Sequence, residues 1–442
     1  MTEVGRNSNA LAWDPQPDGD GFQPRLMADV ELTQPLPDLP GGTEPALVLV
    51  RLHSEPIGMV QTTAGPSGVT ADALASAIRS ELHDSIAARL ADTGVEPGHL
   101  SSRGLTAAAA SSRFLHRRAE VLADAPSISV IVCTRDRPHR IAACLDRLAA
   151  QKYPDFEVVV VDNAPMTDDV RGLVEGRPDH PAIRYIVEPR PGLSRARNRG
   201  AGAATGDVLA FLDDDEAPDE HWLAELARGF ASDAEVGCVT GMILPARLET
   251  QAQEWFEQFG GHSKGRGFNP AVFSRHGEQS PLYPLPPFGA GGNMAFRRDV
   301  LHAIGGFDVA LGAGTPARGG EDTLAITLVL LAGRLVAYQP SALVRHDHYA
   351  DLEGLARQLH GYGTGLTAFY SALLRRQPSL LWPLLRLLPA AVRDLWGKDS
   401  VRTELMRDFP HALIIRHRRG MLGGPLAYAR ARRLARAEEK CR

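Results

Sequence analysis

The sequence predicts an α/β protein. A mostly parallel sheet flanked by helices follows a small N-terminal α+β unit and precedes a helical C-terminal region. Three observations predict this. Short, continuously apolar runs, SISVIVC (127–133), FEVVVVD (156–162) and DVLAFL (207–212), read as strands buried on both faces. Stretches of helical periodicity separate them. Polar and acidic residues gather where the runs end, the edge at which ligands bind in open sheets of this kind.

Residues 1–45 are rich in Pro, Gly and Asp and are expected to form a flexible leader. Residues 46–95 form the small α+β unit: ALVLVRLHSEPIGMV reads as two strands around a Ser-Glu-Pro turn, and Leu74, Ile78, Leu82, Ile86 and Leu90 recur at helical spacing. Residues 96–125, polar and Ala-rich, are expected to be a linker. The main domain spans 126–350. After its first strand Pro138 opens a helix with Ile141, Cys144, Leu145 and Leu148 on one face. AIRYIVE (182–188) supplies a third strand, and a helix is expected over about 193–204 before the fourth. Residues 351–442 complete the chain as a helical region.

A chain of 442 residues exceeds one ordinary core. With 44% hydrophobic and 23% charged residues it falls in the soluble globular range, and its net charge of -5 speaks against a nucleic-acid-binding protein. Charge is uneven: residues 1–60 hold nine acids against three arginines, and 411–442 hold nine Lys/Arg against two glutamates. Cys133, Cys144, Cys238 and Cys441 lack metal or redox spacing, and the first three read as buried thiols of a cytoplasmic protein. The N-terminus carries no apolar signal core. The apolar stretch 379–396 is interrupted by Pro383, Arg386, Pro389 and Arg393, too often for a membrane span.

Chemistry concentrates at the strand ends. Strand one ends in Thr134-Arg135-Asp136, strand two in Asp162-Asn163, and strand four in Asp213-Asp214-Asp215. Three adjacent carboxylates repel one another unless a cation sits among them, and oxygen donors favour Mg²⁺ or Mn²⁺. Asp213 and Asp215 are expected on one side of the extended chain. Asp is also common in solvated turns, but three acids at a central strand end favour a site. Four further segments gain weight only from this setting. Glu321-Asp322 opens a helix, where acids are expected for dipole reasons alone. His346 and His348 alternate around Asp347, a spacing that suits structural histidines and metal ligands equally. Arg190, Arg195, Arg197 and Arg199 surround a helix start suited to a diphosphate, or make a solvated basic face. Gly289, Gly291 and Gly292 precede a strand, where glycine admits a ligand or simply a turn.

Taken together, VIVCTRDRP, EVVVVDNA, GLSRARNRGAGAATGDVLAFLDDD, GGNMAFRR, GGFD and GGED resemble, in order and spacing, an inverting, non-processive family-2 glycosyltransferase domain of the GT-A fold over residues 127–345. The resemblance implies a nucleotide-sugar donor, a hydroxyl acceptor and a divalent metal. It places Thr134, Arg135, Asp136 and Asp162 at the nucleobase and ribose, and Arg197, Gly292 and Asn293 along the donor. Asp213-Asp214-Asp215 matches the DxD motif, with Asp213 or Asp214 near the ribose, and Asp215 on the metal with Asp213 and His346 as further ligands. Asp322 corresponds to the catalytic base and Glu321 to an acceptor contact.

There are departures. The QxxRW motif is absent, Arg357-Gln358-Leu359-His360 standing in its region, and no transmembrane helices follow. A processive synthase is therefore disfavoured. A sugar nucleotidyltransferase would carry a Gly-rich basic loop where CTRDRP stands, and an inactive sugar-binding descendant would lack Asp215 or Asp322. The acceptor, whether a glycan, a lipid-linked sugar or a small molecule, is not legible. The apolar 380–396 and basic 427–442 stretches suit either a bundle closing the acceptor side or a peripheral contact on the cytoplasmic face of an anionic membrane.

Overall fold

The computed structural model describes residues 22–41, 45–63, 67–91, 95–105, 112–177, 181–263, 266–277, 279–283, 285, 288–396 and 409–440. Much of the expected leader and the final Cys441 fall outside them. The N-terminal unit is a sheet of β1 (Leu26–Glu31), β2 (Pro45–Leu52) and β3 (Glu55–Thr63), with α1 (Ala71–Leu90) packed upon it. β1 corrects the expectation of a leader through residue 45. LMADVE pairs in parallel with β2, and Val30 and Leu32 enter the core of this unit. Composition hid the strand because its flanks are Pro- and Gly-rich and only one of its faces is covered. The expected linker likewise contains α2 (Arg113–Ala123), capped by Ser112 and anchored by Phe114.

Among the described residues the main sheet has nine strands, ordered β10 (Ala271–Phe273), β12 (Leu335–His346), β9 (Val236–Pro245), β11 (Asn293–Arg297), β7 (Val208–Asp213), β4 (Ile128–Thr134), β5 (Phe156–Asn163) and β6 (Ala182–Glu188), with β8 (Glu216–Pro218) beside β12. The parallel half is β7 (Val208–Asp213), β4 (Ile128–Thr134), β5 (Phe156–Asn163) and β6 (Ala182–Glu188). Its crossovers are α3 (Pro138–Ala149), α4 (Asp169–Glu175) and α5 (Leu193–Ala203). The apolar runs are explained by two cores. Ile128, Val130 and Val132 face a core that includes Ile141, Cys144, Leu145 and Leu148 of α3. Ile131 faces the other side, with Ala196 of α5 and Ile326 and Val329 of a later helix. The polar positions near the opposite ends of these strands pair with one another, Ser129 donating to Glu157 at 2.6 Å.

The second half is mixed. β11 (Asn293–Arg297) runs antiparallel between β7 and β9 (Val236–Pro245), whereas β12 (Leu335–His346) runs parallel to β9. β8 (Glu216–Pro218) and β10 (Ala271–Phe273) add antiparallel edges to β12. α6 (Trp222–Ala231), α7 (Gln251–Gln258), α8 (Arg298–Ala303) and α9 (Glu321–Leu331) complete the layers. α10 (Leu352–Arg376) starts at an Asp351 cap and packs along α12 (His411–Lys440), with α11 (Leu381–Trp396) between them in sequence. Among the described residues no helix is long and apolar enough to cross a membrane.

Candidate active site

The C-terminal ends of β4, β5 and β7 meet the end of β12 and one face of α10 around a cleft of about 680 Å³. Its wall includes Thr134, Arg135, Asp213, Asp214, Asp215 and His346, as the sequence predicts. It also includes His262, Arg318, Arg357 and Tyr362, which sequence reasoning missed. The Arg357-Gln358 pair drew notice only for failing a motif. His262, Arg318 and Tyr362 carried no local signal, because long-range packing alone brings them to the strand ends.

The three aspartates diverge. Asp213 turns to Arg197, 3.0 Å from its guanidinium. Asp214 accepts from the Thr134 hydroxyl at 2.7 Å and from Arg137 at 3.0 Å, so each of its oxygens is engaged. Asp215 accepts from Arg140 at 2.5 Å, and its other oxygen lies 3.8 Å from Nε2 of His346. Burial pushes Asp214 up to about 6, opposed by Arg137 and assisted by Asp215. Glu216, buried immediately behind, is pushed well above its usual range by burial and then by Asp213 and Asp215. His346 is lowered to about 4, first by burial, with Asp215 opposing, so its imidazole is neutral at physiological pH. A crowded set of acids beside a neutral imidazole is a donor set that a hard divalent cation fits.

Several expected ligands are occupied elsewhere. Arg197 is 2% exposed and binds Asp213, Glu321 at 2.9 Å and the Gly291 carbonyl at 3.0 Å. It cannot swing to a diphosphate without stranding the buried Glu321 and releasing Asp213. Arg190 pairs with Glu188 and Arg195 with Glu438, leaving Arg135, Arg137, Arg318 and Arg357 as the cations of the wall. Asn293 is wholly buried: its carbonyl accepts from the Trp222 indole and its amide donates to the Met242 and Ala342 carbonyls. It joins three strands and does not reach the cleft. Gly292 is small because the Glu216 carboxylate fills the space a Cβ would need. Glu321 is also buried, held by Arg197, and stands away from the wall. Asp136, at φ 53, accepts from the Met166 amide at 2.9 Å and pins the loop after β5.

Two further expected acids, Asp162 and Asp322, are likewise not among the residues that line the cleft. Asp162 accepts from the Tyr185 hydroxyl at 2.9 Å, while its Oδ1 is buried without a partner. Asp322 stands at the first turn of α9, half-buried. One oxygen accepts from the Gly291 amide at 2.9 Å and the other from Thr323. Gly320 sets this start by its left-handed φ of 87 against the Gly365 carbonyl, where a Cβ would collide.

An α/β mixed sheet with acids at its central strand ends defines a class, the GT-A type of sugar transferase, and the comparisons place the chain within one family of it. Residues 129–305 match the family described as glycosyl transferase family 2. The succinoglycan biosynthesis protein ExoM of Rhizobium meliloti is 34% identical over 243 residues, 52% of this chain and 71% of that protein. The chain therefore belongs to the family-2 glycosyltransferases. The glucosyl-dolichyl phosphate glucuronosyltransferase of Haloferax volcanii is 25% identical over 228 residues, 50% of this chain and 68% of that one. A mannosyltransferase from Pyrobaculum calidifontis, solved in complex with GDP-Man and Mn2+, is similar at a TM-score of 0.42 and 22% identity, covering 73% of this chain and 82% of that one.

Proposed function

We propose that this chain transfers a glycosyl group from a nucleotide-diphosphate sugar to an acceptor hydroxyl, with inversion and with help from a divalent metal. The observation that carries the reading is the pair formed by Asp215 and the neutral His346, 3.8 Å apart on the wall of the cleft. Asp215 and His346 would hold Mn²⁺ or Mg²⁺. The ion, when bound, supplies positive charge for the departing diphosphate.

The remaining work falls to the chain. Arg135, Arg318 and Arg357 stand on the wall where phosphates would be neutralised. Thr134 and Arg137 hold Asp214, which shapes the floor of the donor site. The unpartnered Oδ1 of Asp162 suits a donor N–H of a nucleobase. Asp213, held by Arg197 at 3.0 Å, would accept from the ribose. Asp322 is the proposed base. Held by the Gly291 amide, it retains lone pairs for the proton of the acceptor hydroxyl while that oxygen attacks the anomeric carbon and the nucleoside diphosphate leaves.

The test is turnover. Incubation with a panel of nucleotide sugars and Mn²⁺ should release nucleoside diphosphate, and chelation should abolish release. Asp322→Asn should keep donor binding by thermal shift and lose at least about 100-fold in rate, the usual contribution of a positioned base. A variant with near wild-type turnover would remove Asp322 from the role. No turnover with any donor would favour an inactive sugar-binding domain.

The acceptor side is formed by α10 with α11 and α12 beyond it. On α11, Leu381, Trp382, Leu385, Leu388 and Val392 are exposed, with Arg386 and Arg393 on the same helix. This pattern supports a peripheral contact with an anionic bilayer, where a lipid-linked acceptor would be presented.

A further inference from the structure

Behind His346 lies a chain of buried polar groups that the transfer reaction does not use directly. Nδ1 of His346 is 2.7 Å from Nδ1 of His348. Nε2 of His348 is 2.7 Å from Oε1 of Glu257. Both imidazoles are buried, and Glu257 on α7 is 9% exposed.

The proton positions follow from the donor inventory. An ionised carboxylate only accepts, so the hydrogen in the outer bond belongs to Nε2 of His348. Where that is the only ring proton of His348, its Nδ1 is bare. The inner bond can form only if Nδ1 of His346 donates. A neutral His346 is left with a bare Nε2, and that atom faces Oδ1 of Asp215 at 3.8 Å. Two lone-pair groups then face each other with no proton between them. Such a pair repels unless a cation lies there. The spacing is within the roughly 4 Å that two ligands about 2.1 Å from one ion can span.

We propose that Glu257 and His348 are positioning residues that lock His346 in its Nδ1–H form, so that its Nε2 and Asp215 together face one divalent cation. The inference rests on the metal-dependent reading above and adds two residues that touch neither substrate nor ion. His262 also lies close, its ring 4.6 Å from that of His346. An ion held through both Nδ1 atoms of His346 and His348 is nevertheless disfavoured. Nitrogens sharing one tetrahedral ion at about 2.0 Å stand about 3.3 Å apart, farther than the 2.7 Å between His346 and His348.

Two measurements on the full chain test the proposal. ¹⁵N-histidine NMR of the metal-free protein should show His346 protonated at Nδ1; protonation at Nε2 overturns the relay. Titration with Mn²⁺ alone, read by the EPR signal of the free ion, should show binding weakened roughly 10–100-fold by His348→Phe. His348→Gln should retain affinity within about threefold, because a glutamine can accept from His346 and donate to Glu257. If H348F does not fold, Glu257→Ala supplies the same comparison. Wild-type Mn²⁺ affinity in both H348F and E257A refutes the relay alone. A wild-type chain that shows the Nδ1–H form yet binds no Mn²⁺ refutes the metal-dependent reading, and the cation half of this proposal with it.

Discussion

Replacing Arg197 by Met separates the two roles that a buried arginine at a strand-end site can have. In the structure its guanidinium holds Asp213 at 3.0 Å, Glu321 at 2.9 Å and the Gly291 carbonyl at 3.0 Å, with 2% of the residue exposed. Methionine fills most of the volume and removes the charge. The buried Glu321 carboxylate and the Gly291 carbonyl then lose their partner, as does Asp213, whose side chain is 37% exposed at the cleft and can be solvated. Removing one member of a buried ion pair costs about 3–5 kcal/mol, because the surviving charge stays desolvated. The loss should depend on pH. Glu321 is already pushed up to about 7, chiefly by burial and then by Asp322, so protonating it near pH 5 is easy and relieves part of the penalty. Guanidinium unfolding in EDTA, followed by the fluorescence of the buried Trp222, should show the full loss at about pH 7.5 and a smaller one at about pH 5. A loss below about 1 kcal/mol at both pH values, coupled with weaker nucleotide binding, would refute the argument and restore Arg197 to the donor site.

Three further outcomes are expected. Glu321→Gln should flatten the pH dependence of stability: the folded pKa of Glu321 lies above its usual 4.5, so its contribution is full below about 4.5 and vanishes as pH rises through about 7. Denaturant midpoints at about pH 5 and pH 8 check this, and equal slopes in wild type and variant would contradict it. Gly320→Ala should destabilise by about 1–2 kcal/mol through the left-handed φ alone, more where the Gly365 carbonyl resists, as read by thermal unfolding. Flotation with anionic vesicles should carry the wild type and leave Trp382→Ser/Leu385→Ser in the soluble fraction. A wild type that stays soluble ends the membrane reading.

The strand ends were legible because apolar runs and terminal acids are local features. Thr134, Asp213, Asp214, Asp215 and His346 all reach the cleft from positions that alternation and strand length define. What each side chain touches was not legible. Arg197 and Asn293 have the residue types of ligands, yet both are absorbed by buried hydrogen bonds to residues far along the chain. Nothing near Arg197 in the sequence announces Glu321, 124 positions away. The same limit hid His262 and Tyr362, whose elements have ordinary helical or loop composition and acquire meaning only by docking. β1 escaped for a different reason: one covered face and breaker-rich flanks leave little pattern in six residues.

The seam between the N-terminal unit and the main sheet has a bearing on protein engineering. Arg25 reaches Glu254 at 2.7 Å, Arg118 reaches Glu225 at 2.7 Å, and both acids are wholly buried. Glu254 sits one turn before Glu257 on α7, the helix that steadies His348. Trimming the chain to its recognisable transferase segment would remove the Arg25 partner of Glu254 on that helix, while Glu225 would lose Arg118 but keep Arg228 and Gln339. Donor or acceptor preferences are therefore better transplanted between relatives by exchanging residues of the wall than by grafting the transferase segment alone, since Arg25 and Arg118, both outside that segment, act as part of its frame.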